Sequence, residues 1–305
     1  MKKILRFDCG EIAYDEKYIA VTGNRVGLID RTTDEVLNVI TKAGKNIIGM
    51  KIMDGYIYTK TTVGTYYMYN LKENELAGYG YCKERQNTSF SGNIFVYSKG
   101  VILDILPLKD EQYYLVKYDF LSKTYEKVCI AKANYCCRDW LIDYQEREVY
   151  ILSLEKNWMN QAQTNCYISV VNIDDLRIKT VITVNLKKST TPIMLIDKTN
   201  ILLKDMKIYN TDSKEMRIFN SYDCLNDRSL GYLSSFYLDG KENLILTFSN
   251  RVLIFNLKTG ELYKSYPCQY GDSAVLIDGK VYIATWKGLF VDDIESKTDV
   301  KIDEQ

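Results

Sequence analysis

Seven times along this chain an apolar strand runs into an Asp or Asn, crosses a short polar turn and resumes as a second strand. The anchors are Asp30 (VGLID), Asn70 (YYMYN), Asp119 (LVKYD), Asn172 (ISVVN), Asn210 (MKIYN), Asn256 (VLIFN) and Asp293 (LFVDD). Successive anchors are 40, 49, 53, 38, 46 and 37 residues apart. Self-similarity on this scale marks a repeat architecture and overrides the two-domain expectation that length alone would give. The anchor type has a physical reason. An Asp or Asn side chain accepts hydrogen bonds from the backbone two residues on and so starts a turn. The turns RTTDE, LKENE and LKTGE follow in this way.

Upstream of each anchor lies a second hairpin, as in KIMDGYIYTKT (51–61), FYLDGKENLILTF (236–248) and AVLIDGKVYIAT (274–285). Asp54-Gly55, Asp239-Gly240 and Asp278-Gly279 predict tight hairpins, because type I′ turns need positive φ. Other units use Asp15-Glu16-Lys17, Ser98-Lys99-Gly100, Tyr144 to Arg147 and Asp197 to Asn200. Four short strands per unit, seven units and no useful helical period predict an all-β chain. The expected fold is a seven-bladed β-propeller with four antiparallel strands per blade, a single domain over residues 1–305. KILRF near the start and DVKI near the end both fit the outermost strand of the last blade, and the choice stays open.

VLIFNLKTGELYKSY in the sixth unit resembles the repeat of quinoprotein-like propellers: a strand, a turn-starting residue, a Thr-Gly turn and an aromatic in the next strand. RVGLIDRTTDEVLNVI resembles it more loosely. WD-repeat propellers are a more distant likeness, since no Trp-Asp pair ends these strands. The resemblance implies an architecture for the whole chain and little about function. Adjacent cysteines such as Cys136-Cys137 form a strained disulfide ring in the calcium- and quinone-dependent dehydrogenases that share this type of repeat. Those enzymes are exported and rich in Trp. This chain has three Trp, and no set of acids matches their calcium site. No cofactor is therefore expected, and the two cysteines are read as buried thiols.

The chain has no histidine. That excludes Ser-His-Asp and Cys-His nucleophile systems, imidazole acid–base catalysis and His-ligated metals. Catalysis by carboxylate, Tyr, Lys or Arg survives, although a catalytic role is disfavoured. Lys and Arg total 40 and Asp and Glu total 40, so no global field draws nucleic acid or anionic lipid, and neither is expected as a partner. The eight cysteines include no CxxC pair, so no metal site is expected. No phosphate-cradling glycine motif is present. In MKKILRFDCGEIAYDEKYIAV, four acids (Asp8, Glu11, Asp15 and Glu16) interrupt any apolar leader, and no apolar run reaches membrane-spanning length. The expectation is a cytoplasmic monomer with reduced thiols.

In a propeller blade with strands A to D counted outward, B–C turns and D–A connections share one end. The resemblance to known propellers implies that ligands approach there or at the central channel, where loops on a rigid scaffold would carry function. Four D–A connections combine Cys with Tyr, and most add Arg or Asp: 81–92, 131–140, 221–232 and 266–273. They nominate Tyr81, Arg85, Tyr135, Arg138, Asp139, Trp140, Asp227, Arg228, Tyr270 and Asp272 as a polar-aromatic ligand pocket at the channel mouth. Arg offers paired donors to a carboxylate or phosphate, and Tyr and Trp stack on sugar or peptide planes. The plainer alternative is Arg–Asp pairing between neighbouring blades. Trp158 and Met159, in the long B–C loop KNWMNQAQTN (156–165), are candidate partner anchors, or they fold back over their own loop. Bases recur at the B–C tips: Arg25, Lys109, Lys156, Lys204, Arg251 and Lys287. With Asp110, Glu111, Glu155 and Asp205 alongside, they read first as a solvated face and second as a positive collar. The expected function is a non-catalytic binding or protein-interaction module whose partner is another protein or a small polar ligand. The alternative is a sugar- or peptide-binding protein, or an enzyme, working at the mouth.

Overall fold

The computed structural model describes residues 1–86, 93–132, 134–155, 163–187, 191–240 and 242–295. Seven antiparallel sheets of four strands follow one another along the chain. The protein is a seven-bladed β-propeller. Blade 1 spans residues 12–40, blade 2 47–81, blade 3 94–131, blade 4 135–187, blade 5 192–218 and blade 6 233–267. Blade 7 (271–293) takes its fourth strand from Lys2–Leu5. The helical elements among the described residues are two single 3-10 turns, Cys224–Asn226 and Arg228–Leu230.

The anchors do what their chemistry dictates. Oδ1 of Asp30 accepts from the backbone N–H of Thr32 and Thr33, and Asn70, Asp119, Asn172, Asn210 and Asn256 repeat the pattern at their own turns. The fourth residue after each of these six anchors has positive φ: Asp34, Asn74, Lys123, Leu176, Lys214 and Gly260. Only one of the six is glycine, so the repeated side-chain bond holds a conformation that most of these residues disfavour alone. Asp54-Gly55 and Asp278-Gly279 have positive φ at both positions, as two-residue turns require. The Asp239-Gly240 turn is longer: Asp239 pairs with Asn243, so three residues lie between the strands.

The chain divides into two compact units. The first comprises Met1–Thr61, Tyr66–Ala77 and Asp227–Gln305, and carries blades 6, 7, 1 and most of blade 2. In it, strand Lys2–Leu5 pairs with Gly288–Asp293, so the start of the chain completes the last blade. DVKI (299–302) lies outside the described residues. Leu5 is buried with Cys9, Ile19, Ile29, Val275 and Leu289. A Cβ on Gly27 would lie 2.7 Å from a Leu5 methyl, so that glycine makes room for it. At the opposite end of these blades, Arg31 reaches Asp278 at 2.7 Å. Lys280 and Tyr282 both bond Asp34 at 2.6 Å, fastening blade 7 to blade 1.

The second unit comprises Thr62–Thr65 and Gly78–Asn226, with blades 3, 4 and 5 and the end of blade 2's outer strand. One core cluster joins blades 3 and 4 around Leu103, Ile105, Leu115, Trp140, Val149 and Ile151. Another joins blades 4 and 5 around Leu152, Ile168, Val170, Leu195 and Ile201.

All eight cysteines are free thiols, and Cys136 and Cys137 are half-buried rather than buried because they sit at the start of the strand Tyr135–Asp143. Burial pushes the Cys9 and Cys166 thiols up to about 12 and the Cys268 thiol up to about 11. Thiolate is the reactive form, so these three react slowly in the native protein. Titration with a thiol reagent and no reductant is expected to find Cys129, Cys136 and Cys137 first, and all eight in denaturant. Fewer than eight in denaturant contradicts this assignment.

Candidate functional site

In the second unit the stretch 131–140 is less of a connection than its composition suggests. The strand begins at Tyr135 and runs to Asp143, with a bulge between Cys137 and Asp139. Past the bulge the regular alternation sends the consecutive Asp139 and Trp140 to opposite faces of the blade 4 sheet, Asp139 toward blade 5 and Trp140 toward blade 3. Both are buried because each face packs on a neighbouring blade. Oδ2 of Asp139 accepts the Leu195 N–H of blade 5 at 2.7 Å. Burial pushes the Asp139 carboxyl up to about 7, opposed by the N–H groups of Leu195 and Trp140 and the charge of Arg138. Trp140 packs edge-on against Phe95 with ring centroids 4.5 Å apart, and its Nε1 has no hydrogen-bond partner. Asp139 and Trp140 therefore join blades. Arg138 stays exposed.

Tyr135 donates its hydroxyl to that of Tyr167 at 3.3 Å, which, with burial, pushes Tyr135 up to about 12. The Arg85 guanidinium lies 4.2 Å above the Tyr81 ring and donates to the carbonyls of Val63 (2.6 Å) and Cys82 (3.2 Å). These bonds fix Arg85 in place, and Tyr81 remains exposed beside it.

In the first unit Asp227 caps the turn Arg228–Leu230. Its Oδ1 accepts from the backbone N–H of Ser229 at 2.9 Å and from its hydroxyl at 2.7 Å. Arg228 projects into solvent. Tyr270 has positive φ and stacks flat on Trp286, with centroids 5.2 Å apart and planes 8° from parallel. Both rings remain open to solvent, Tyr270 at 50% and Trp286 at 58%. Asp272 enters the innermost strand of blade 7. Burial, and then the Asp8 charge, raises its carboxyl above the usual range.

Two residues beside it escaped the linear reading. Glu11, just before the first strand of blade 1, is half-buried as a residue, but its Oε2 is sealed from solvent without a hydrogen-bond partner. Burial is the main cause that pushes the Glu11 carboxyl up to about 8. Lys51, a hydrogen bond from the Met50 backbone and Lys60 pull it down, and Asp272 pushes it further up. Lys60 is fully buried within the strand Tyr56–Thr61. The readable signal was a charge inside a strand buried almost throughout. Trp286 was also legible, as the aromatic next to the tip base Lys287. Trp158, Met159 and Lys156 lie outside the described residues.

Among the described residues no group of three acids or cysteines is arranged to hold a metal ion, and no helix is long and apolar enough to cross a membrane. No protein-family model and no curated protein matches the sequence. Solved structures do resemble the fold. The Cps50 (Swd1) β-propeller domain of Myceliophteria thermophila superposes with a TM-score of 0.68 at 9% identity, over 96% of this chain and 99% of that one. BamB from Moraxella catarrhalis gives 0.52 at 11% identity, over 94% and 82%. PorZ, a surface component of the type-IX secretion system of Porphyromonas gingivalis, gives 0.62 at 13% identity, over 96% of this chain and 38% of PorZ. At these identities the likeness defines the architecture alone: a β-propeller, as in WD-repeat and quinoprotein-like chains.

Proposed function

We propose that this propeller is a binding module for another protein and that its contact lies on the B–C and D–A end of the blades. The observation that carries this reading is the stacked, solvent-open Tyr270–Trp286 pair on a hairpin scaffold. Two large apolar rings held at the surface cost hydration that a partner relieves, and Trp and Tyr are the residues that concentrate binding energy at interfaces. Tyr270→Ala with Trp286→Ala is expected to abolish co-purification of the native partner, a loss of tenfold or more in affinity at about 2 kcal/mol per hot-spot residue. Leu262→Ser with Tyr263→Ser, on the exposed outer strand of blade 6, is the control and leaves partner capture intact. Equal capture by the double variant and the parent protein would remove this reading.

A second reading rests on Glu11. Its unpartnered Oε2, with Asp272 nearby and buried Lys60 acting on it, is the arrangement a small polar ligand would use. In that case Glu11→Gln impairs ligand binding while the Tyr270/Trp286 variant does not.

A further inference from the structure

The connections at this end of blades 6, 7 and 1 are stitched edge to edge by backbone hydrogen bonds. Asn250 N–H bonds Leu230 O at 3.1 Å, Ser249 N–H bonds Tyr232 O at 3.0 Å, and Gly271 N–H bonds Ser249 O at 3.0 Å. Trp286 N–H then meets Tyr270 O at 3.4 Å, Cys9 N–H meets Thr285 O at 3.0 Å, and Gly10 N–H meets Thr22 O at 2.6 Å. One continuous surface therefore runs from Tyr232 to the turn that carries Arg25. Three solvent-open aromatics stand along it: Tyr232, Tyr270 and Trp286.

Its charge is one-sided. Arg6, Arg25, Arg228, Arg251 and Lys287 are exposed there, against a single exposed acid, Asp8. Arg25 lies over the Phe7 ring, Arg251 bonds the Ser265 hydroxyl and Lys287 bonds Gln269. Among the described residues none of these three is in an ion pair with a carboxylate. The exposed acids of the same blades gather at the opposite turns, where Glu16, Glu35, Glu261 and Asp278 lie. A chain of zero net charge is thus polarised within these blades, with its unneutralised bases around its exposed rings.

We propose, on the footing of the protein-binding reading above, that this surface docks an extended acidic segment of another protein. Charge complementarity selects the sign of the partner, and the spaced aromatics offer apolar footholds for its side chains. A local field of this kind acts within about one Debye length, roughly 8 Å at physiological salt. It therefore suits a short acidic segment better than a long polyanion, which a neutral molecule with an acidic far end does not attract over distance.

The test uses fluorescence anisotropy with a fluorescein-labelled peptide of Glu-Glu-Tyr repeats, about twelve residues long and roughly 40 Å when extended. A Lys-Lys-Tyr peptide of equal length and a labelled oligothymidylate form the other arms. The acidic peptide is expected to bind, the basic one not to. Arg25→Glu, Arg251→Glu and Lys287→Glu together weaken acidic-peptide binding by about tenfold or more, as does raising salt from about 50 to 200 mM. Leu262→Ser with Tyr263→Ser leaves it unchanged, and thermal melts confirm that the triple variant folds. No binding, equal binding of the basic peptide, indifference to the triple reversal, or tighter binding of the oligothymidylate overturns the proposal. If the native partner is still lost with the Tyr270/Trp286 variant while the acidic peptide fails to bind, the acidic assignment alone falls.

Discussion

Leu5→Ala is expected to lower the unfolding free energy by about 3 kcal/mol, the usual cost of emptying a fully packed leucine site. Gly288→Val is expected to do at least as much by another route. Gly288 has φ of 139°, and a Cβ there would fall 2.1 Å from the Leu5 carbonyl oxygen. The substitution pushes the strand Lys2–Leu5 off its ladder with Gly288–Asp293, whereas Leu5→Ala leaves the ladder and removes the packing. Both changes act on one device: the first strand of the chain completing the sheet built by its last three. Stripping that strand also bares the edge of Gly288–Asp293, so aggregation should accompany the loss of stability. Urea midpoints read the effect, with Leu121→Ala at a 93% exposed position as the control. Parent-like midpoints for both variants would mean that the N-terminal strand does not hold blade 7 together.

The blade count and strand count were legible because each blade repeats the same local solution. An Asp or Asn binds the two following N–H groups, and apolar strands flank it. Which terminus completes blade 7 was not legible, because KILRF and DVKI are both short segments with strand-forming apolar residues. Gly27 of blade 1 clears space for Leu5, a contact that no linear pattern announces. The site was legible in part. Tyr270 and the tip bases were visible as residue types on connections, but the Tyr270–Trp286 stack joins two turns 16 residues apart, and no linear rule pairs them. Asp139 and Trp140 were read as connection residues because a bulge is invisible in composition. They lie on opposite faces of the blade 4 sheet, each packed on a different neighbouring blade. Glu11 was used only as an interruption of an apolar leader. What makes it unusual, a sealed Oε2 acted on by Asp272 and Lys60, is assembled from three blades.

The protein is expected to be more stable at pH 5.5 than at pH 8, the reverse of a fold held by ionised carboxylates. Glu11 rises from an ordinary value near 4.5 to about 8, and Asp139 from 3.8 to about 7. Asp272 moves in the same direction. In each case the folded state binds the proton more tightly than the unfolded chain does. Folding is then favoured as pH falls through the folded values, and the gain is complete below the unfolded values. Each tenfold change in proton affinity is worth about 1.4 kcal/mol, so Glu11 and Asp139 together should shift stability by a few kcal/mol across this window. The acids that hydrogen bonds hold low, among them Asp30, Asp110 and Asp143, work in the opposite direction, but only as pH drops below about 4. The window from 8 to 5 therefore reports the buried group alone. Glu11→Gln and Asp139→Asn should each raise the urea midpoint at pH 8, leave it nearly unchanged at pH 5, and flatten the profile when combined. Asparagine keeps an oxygen for the Leu195 N–H, so loss of that bond does not confuse the result. A parent protein whose midpoint is flat or falls between pH 8 and 5.5 would show that these carboxyls stay ionised in the fold.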